Sequence, residues 1–156
     1  MNETKYMAEA IRLSIENVQS SIGGPFGAVI VKDDRIIATG NNQVTSSNDP
    51  TAHAEIVAIR SASKTLNTFD LSGCEIYTSC EPCPMCLSAI YWAKINTVYY
   101  ANTKEDAANI GFNDQFIYEE LEKPKANRSI KMKQMLRDEA NEAFMIWNNL
   151  DEKIEY

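Results

Sequence analysis

The chain has 156 residues, of which 44% are hydrophobic and 24% are charged. Domains of roughly 150 residues are common, so the length predicts a single domain over residues 1–156. The 15 basic and 22 acidic residues give a net charge of −7, which argues against general binding to nucleic acids or anionic membranes. The single histidine, His53, excludes metal sites that need two imidazoles.

The sequence also predicts where the protein resides. No apolar run approaches the roughly 18 residues of a membrane span, so we expect no membrane partner. Residues 1–5 are polar and lack the apolar segment of a signal peptide. The predicted location is therefore the cytoplasm, where cysteines are reduced, buried or metal-bound rather than paired in disulfides. The four cysteines are Cys74, Cys80, Cys83 and Cys86.

Taken in chain order, the elements begin with a helix and a hairpin. Met7, Ala10, Ile11, Ser14 and Val18 recur every three or four residues, which predicts a helix with this side buried. Two short apolar runs around an acidic turn then predict a β-hairpin. The runs are Phe26–Val31 and Arg35–Thr39, and a polar loop follows over residues 41–50.

Strands and helices alternate through most of the remaining chain. A helix is predicted after Pro50, which leads into an apolar pattern. The elements predicted after it are strand Cys74–Thr78, a helix through Trp92, strand Thr97–Ala101, helix Lys104–Asn109, a fifth strand Ser129–Met135 and helix Ala140–Leu150. This order predicts an α/β fold, in which a mixed sheet of about five strands has helices on both faces.

Two short motifs carry the chemistry. His53 and Glu55 lie in the first turn of the helix after Pro50, and Cys83 and Cys86 lie at the start of another helix. Side chains of residues two apart on a helix point in divergent directions. His53 and Glu55 can therefore approach the same ion or small ligand only if it lies beyond the end of the helix. The two cysteines converge in the same way. The motifs together predict a metal ion between two helix N-termini.

Zinc is the predicted metal, at one ion per subunit. Thiolate and imidazole ligands suit zinc, and a catalytic zinc keeps a fourth position for water. His53, Cys83 and Cys86 supply three ligands, which leaves Glu55 close to the water as a proton shuttle.

Cys80 leaves a second interpretation open. Cys80, Cys83 and Cys86 are evenly spaced, and with His53 they would form a closed four-ligand site in a structural-zinc interaction module without enzyme activity. That site would hold no water and would leave Glu55 without a role. Cys74, in a predicted strand, is expected in the core.

The two motifs resemble those of the cytidine-deaminase-like zinc deaminases, whose fold is a three-layer α/β/α sandwich. The resembling stretches are residues 50–55, Pro-Thr-Ala-His-Ala-Glu, and residues 81–86, Glu-Pro-Cys-Pro-Met-Cys. Within that family, residues 23–28, 78–81, 89–92 and 111–114 and the tail 153–156 resemble the small bacterial guanine deaminases. Ser88 stands where the family commonly has glycine, a difference expected to affect helix packing more than chemistry.

The resemblance implies zinc-dependent hydrolysis of guanine to xanthine and ammonia. Glu55 would take a proton from the zinc-bound water, pass it to a ring nitrogen, and later protonate the leaving amino group. Asn41 and Asn42, after the second predicted strand, offer both a donor and an acceptor to a purine edge, and the resemblance favours Asn42. We also expect Phe26 to stack on the base and Asp114 to accept an N–H group. The residues predicted to bind substrate are Asn42, Phe26, Asp114, Trp92 and Tyr156.

The resemblance further implies that a C-terminal segment, about residues 137–156, closes over the pocket or is exchanged between the subunits of a homodimer. Two alternatives share the same site: a tRNA-specific adenosine deaminase, and a deaminase of cytosine or another small nucleobase. A basic strip, residues 123–137, is the one feature that favours RNA. We interpret it as a solvated surface, because it has no aromatic residue for base stacking.

Overall fold

A computed structural model describes residues 2–156, with only the backbone of Asn2 included. The strands are β1 (Gly27–Lys32), β2 (Arg35–Asn41), β3 (Glu75–Cys80) and β4 (Thr97–Asn102). The helices are α1 (Asn2–Gln19), α2 (Val44–Ser47), α3 (Ala54–Leu66), α4 (Pro84–Trp92), α5 (Lys104–Asn109), α6 (Gln115–Glu122) and α7 (Arg137–Asn148), with a 3-10 helix over Lys125–Asn127. The predicted order is confirmed through α5, while α2 and α6 were not predicted.

The sheet is mixed, as the sequence predicts. Its strand order is β2-β1-β3-β4, in which only β3 and β4 are parallel. Asp33 and Asp34 join β1 to β2 with φ angles of 49° and 58°. A two-residue turn with both φ angles positive has the twist that a hairpin needs.

The prediction of a fifth strand over Ser129–Met135 is wrong, because this segment forms neither a strand nor a helix. The backbone amide of Ser129 donates to the Glu120 carboxylate at 2.7 Å instead of to another strand. The adjacent Arg128 guanidinium donates to backbone carbonyls at the end of α6, including that of Leu121 at 3.2 Å. Local side-chain contacts therefore replace strand pairing.

Side chains of β1 alternate between two cores, one on each face of the sheet. Ala28 and Ile30 pack with buried residues of α3 and α4. Val29 and Val31 pack with Tyr6 and Ala10 of α1 and with Tyr77. Successive side chains of a strand point to opposite faces, so one strand serves both cores. The three-layer α/β/α sandwich is thereby confirmed.

The buried side of α1 differs from the prediction at its C-terminal end. Ile11 and Val18, both predicted to be buried, are 37% and 50% exposed, whereas Asn17 is 1% exposed. Each four-residue step advances about 40° around a helix. Two four-residue steps, from Tyr6 to Ala10 and from Ala10 to Ser14, already rotate the side chain direction by about 80°. A third four-residue step places Val18 away from the sheet, whereas a three-residue step from Ser14 places Asn17 against it.

The chain divides into two compact units, one up to Gln115 and one from Phe116 to Tyr156. No residue of the second unit is buried, and its exposed side chains include the large apolar groups of Phe144, Ile146 and Trp147. None of the helices in residues 2–156 combines the length and apolarity needed to cross a bilayer.

Candidate metal centre

One edge of the sheet gathers the segments that carry the predicted site. Because β1 is antiparallel to both β2 and β3, its start lies beside the ends of those two strands. The chain just beyond β2 is tied to the start of α3 by a hydrogen bond from the amide of Gln43 to the carbonyl of Ala52, at 2.9 Å. The start of α4 follows the end of β3 after three residues.

His53 and Cys83 both occupy N-cap positions, where the backbone is extended rather than helical. The helix predicted after Pro50 begins only at Ala54, because Thr51 donates from its backbone and its hydroxyl to the Asp49 carboxylate and holds a turn there. An N-cap side chain projects beyond the helix end. This satisfies the condition under which the two motifs reach a common ion.

The three predicted ligands converge. The Nδ1 atom of His53 lies 3.5 Å from the Sγ atoms of both Cys83 and Cys86. Two ligands on a tetrahedral zinc, with Zn–S near 2.3 Å and Zn–N near 2.05 Å, are about 3.6 Å apart. The donor types and their spacing thus fit zinc, and no other cluster of this kind occurs in residues 2–156.

The protonation of the two thiols also suits a metal. A hydrogen bond from the Cys86 thiol, followed in importance by contact with His53, lowers the pKa of Cys83 to about 4. The same bond raises the pKa of Cys86. His53 has a raised pKa, mainly because of its hydrogen bond with Cys83. Cys83 is therefore a thiolate at neutral pH, which is the form that binds metals.

Glu55 is a buried carboxyl group in the first turn of α3. The residue is 8% exposed, and burial raises its pKa to about 6, while a hydrogen bond from its own backbone amide and then contact with Cys86 partly oppose this shift. A group that titrates near neutral pH both accepts and returns a proton readily. The role of Glu55 as a proton shuttle stays a prediction.

Cys80 does not join the three ligands. It is buried at the end of β3, and its Sγ atom lies 3.6 Å from the carbonyl oxygen of Thr103. Burial raises the pKa of this thiol to about 11, so it stays protonated at neutral pH. The four-ligand structural site therefore lacks its fourth ligand. Cys74 lies in the core, as predicted, and none of the four cysteines is paired in a disulfide.

Asn42 follows directly after β2 and is buried. Its Oδ1 atom accepts from the backbone amides of Val44 at 3.2 Å and of Gly24 at 3.4 Å. These two donors fix the orientation of the amide. Within residues 2–156 no hydrogen bond uses its Nδ2 atom, so Asn42 keeps a donor available rather than the donor and acceptor expected from the sequence.

Phe26 and Asp114 lie near the same edge. The ring of Phe26 meets that of Phe112 edge-on, with centroids 5.0 Å apart and an interplanar angle of 87°. This contact fixes the segment that leads to Asp114. Burial raises the pKa of Asp114, and its charge contributes to the raised pKa of His53. The structure thus brings Asp114 into the electrostatic surroundings of the metal ligands.

The other two predicted substrate residues, Trp92 and Tyr156, are both exposed. Trp92 ends α4 and is 65% exposed. At 1.5 Å per residue, it lies about 12 Å along the helix from Pro84 and the ligand-bearing end. Tyr156 belongs to the second unit and is exposed. For both residues, a role in substrate binding stays a prediction.

Sequence reasoning missed polar residues that support this edge. Asn17 forms buried hydrogen bonds with the segments around Gly24 and Asn42. The hydroxyl of Ser79, also buried, accepts from the amide of Gly27 at 3.0 Å. A polar residue three positions after Ser14, on the buried side of α1, is the signal that would have identified Asn17.

The basic strip is partly used inside the second unit. Arg128 donates to three backbone carbonyls, those of Glu120, Leu121 and Lys123. Lys123 forms an ion pair with Glu120 at 2.6 Å. These contacts support a structural role for these two residues and weaken the argument for RNA binding.

Compared with protein families and with known proteins, the sequence and the structure both match zinc-dependent deaminases. A profile described as the cytidine and deoxycytidylate deaminase zinc-binding region matches residues 1–102. The chain is 53% identical to the guanine deaminase of Bacillus subtilis (strain 168) over 156 residues, which is 100% of both chains. The X-ray structure of guanine deaminase from Bacillus subtilis matches with a TM-score of 0.96 and covers 100% of this chain and 99% of that one, at 53% identity.

A second kind of deaminase matches over a shorter region. The tRNA-specific adenosine deaminase of Aquifex aeolicus (strain VF5) is 36% identical over 118 residues, or 76% of each chain. The match to the guanine deaminase thus includes the C-terminal region and is stronger in identity.

Proposed function

Since the chain belongs to the cytidine and deoxycytidylate deaminase zinc-binding family, we propose that it is an enzyme that hydrolyses guanine to xanthine and ammonia, with zinc as its cofactor. The observation that carries this proposal is the convergence of His53, Cys83 and Cys86, next to the buried carboxyl of Glu55, in a chain that matches a guanine deaminase along its whole length. A zinc site with three protein ligands keeps a position for water, as a hydrolytic enzyme requires.

The reaction consumes one water molecule and breaks the bond between C2 of guanine and its amino nitrogen. Zinc, when held by the three ligands, supplies a Lewis acid that lowers the pKa of water toward 7. Glu55 takes a proton from the attacking water and delivers it to a ring nitrogen next to C2, which makes that carbon more electrophilic. The water oxygen bonds to C2, and Glu55 then takes the remaining proton of that oxygen and transfers it to the amino group, which leaves as ammonia while the C2 carbonyl of xanthine forms.

Side chains at the same sheet edge bind the base. Asn42 directs its Nδ2 donor to an acceptor on the purine, because its oxygen is held by two backbone amides. Asp114 accepts an N–H group of guanine, which disfavours a base without that donor. Phe26, held by Phe112, offers an aromatic surface to the ring.

The exposed apolar side chains of the second unit are an argument for a homodimer. A segment of this length that buries none of its residues, and exposes side chains such as Phe144, Ile146 and Trp147, needs a surface to cover them. We propose that a second copy of the chain covers them, and that the segment of about residues 137–156 closes a pocket in its own or in the partner subunit. The oligomeric state, measured by light scattering on a sizing column, tests the dimer.

The activity is tested by ammonia release from the zinc-loaded protein with guanine, adenine, cytosine and their nucleosides. Guanine should be the preferred substrate and xanthine the product. Incubation with transfer RNA, followed by a search for inosine, tests the main alternative. Ammonia from cytosine or adenine at a higher rate than from guanine would refute the proposed substrate.

The role of Glu55 is tested by Glu55→Gln, which keeps the shape of the side chain and removes its acidity. Turnover should fall by at least about 10²-fold, the usual contribution of a positioned acid–base group, while zinc is retained. Glu81→Gln is the matched control, since the Glu81 carboxylate accepts from the backbone amide of Lys104 at 2.9 Å and an amide oxygen replaces it there. Near-normal turnover of the zinc-loaded Glu55→Gln protein would exclude the shuttle.

A further inference from the structure

A buried amide connects α1 to two segments at the substrate edge. The Nδ2 group of Asn17 donates to the carbonyl of Gly24 at 2.7 Å and to the carbonyl of Asn42 at 2.9 Å. Its Oδ1 atom accepts from the Nδ2 group of Asn41 at 2.6 Å. Every polar atom of this side chain is used, as a polar group with 1% exposure requires.

The two segments joined by Asn17 also contact each other directly. A Cβ atom added at Gly23 would lie 2.3 Å from the carbonyl oxygen of Asn42, so only glycine allows this approach. The amide of Gly24 donates to the Oδ1 atom of Asn42. One of the two bonds that orient the Asn42 side chain therefore comes from a loop that Asn17 ties to α1.

Removal of the Asn17 amide would leave the carbonyls of Gly24 and Asn42 without their shared donor. The Asn42 carbonyl would then turn toward water or another donor, because an unpaired buried carbonyl is unfavourable. The Gly24 carbonyl would keep the amide of Phe26 at 2.8 Å but would lose its link to α1, so Gly24 would be free to move. Movement of Gly24 would remove one of the two amides that hold the Oδ1 atom of Asn42. The Nδ2 donor of Asn42 would then no longer be held toward the base.

We propose that Asn17 is a positioning residue for recognition of the base and acts through Asn42. This inference rests on the proposed function, in which Asn42 donates a hydrogen bond to the purine. Under this proposal a residue of α1, a helix that bears none of the zinc ligands, contributes to recognition of the base. Asn17 contributes to binding of the base in the ground state and in the transition state alike, so it affects KM rather than kcat.

Four proteins compared with the wild type test this proposal: Asn17→Ala, Asn42→Ala, the double variant and Ser14→Ala. The matched control is Ser14→Ala, because Ser14 is buried one turn earlier on the same side of α1 but donates within the helix, to the carbonyl of Ile11 at 2.7 Å. KM and kcat for guanine, zinc content and thermal stability are measured for each.

The Asn17→Ala variant should raise KM about tenfold, the factor that one hydrogen bond of average strength supplies. Its kcat should stay within about twofold of the wild type, with zinc content unchanged. Asn42→Ala should have a KM effect of similar size, and the double variant should be no worse than Asn42→Ala alone, because residues that act through one contact are not additive. Ser14→Ala should keep the wild-type KM.

An unchanged KM in Asn17→Ala would overturn the proposal, and so would effects that multiply in the double variant, since they would show that Asn17 acts independently of Asn42. If Asn17→Ala does not fold, Asn17→Ser, whose hydroxyl keeps one donor, is judged by the same two criteria. A wild-type protein that releases no ammonia from guanine would instead refute the proposed function. The two failures are therefore distinguishable.

Discussion

Replacing Gly40 with alanine tests whether the packing of α3 on β2 sets the position of the metal ligands. A Cβ atom at Gly40 would lie 2.1 Å from the carbonyl oxygen of Ala54 and 2.6 Å from the amide nitrogen of Ala58. Ordinary contacts begin at 3.4 Å, so the helix and the strand must separate by about 1.3 Å. Both atoms belong to the backbone and cannot rotate away.

The expected loss of stability is about 3 kcal/mol, at the upper end for overpacking because the clash is with backbone atoms. For a chain of this length, that loss lowers Tm by roughly 6 to 12 °C. His53 immediately precedes Ala54, so the displacement changes the 3.5 Å separations between its Nδ1 atom and the two Sγ atoms. Metal sites tolerate errors of about 0.2 Å, so we expect zinc affinity to fall at least tenfold, as when a group that supports a ligand is lost.

Gly27→Ala provides the matched control on the other face of the sheet. There the added Cβ atom would lie 2.3 Å from the carbonyl oxygen of Ala10 in α1, a helix without zinc ligands. Thermal unfolding followed by circular dichroism measures stability, and competition with a chromophoric chelator measures zinc affinity. Both variants should be destabilised, but only Gly40→Ala should lose zinc affinity. Equal zinc affinities of the two variants would refute the reasoning.

Three further changes test the site and the tail. Cys80→Ser should keep zinc, because Cys80 contacts the carbonyl of Thr103 rather than the three ligands, and loss of zinc from the purified variant would restore the four-ligand interpretation. Asp114→Ala should raise KM for guanine or lower kcat/KM with zinc content unchanged, since it removes the acceptor proposed for the base; wild-type kinetics would contradict this role. Deletion of residues 151–156 should abolish turnover without affecting zinc, and a fully active truncated protein would exclude a closing role for the tail.

The metal ligands were predictable because their geometry is local. A proline at the first helical position and an N-cap immediately before it place Cys83 at a helix end, whatever the rest of the chain does. The same holds for His53, although α3 begins later than expected. The donor types then select zinc by their chemistry alone.

The fifth strand was not predictable in this way, because a strand exists only where another strand accepts its hydrogen bonds. The alternation of polar and apolar residues over Ser129–Met135 is compatible with a strand, but the amide of Ser129 bonds to the Glu120 side chain. A pattern in the sequence specifies which side chains could share a face. It does not specify a partner.

The sequence by itself determined the chemistry of the centre and the layered α/β/α fold, since helix starts, strand alternation and ligand types are properties of short segments. Tertiary structure alone decided that Asn17, and not Val18, faces the sheet, and that the Asn42 amide presents its donor. Both outcomes depend on contacts between segments far apart in the chain. Helical periodicity allows the next buried residue to lie either three or four positions along the chain, and packing against the sheet decides which of the two is buried.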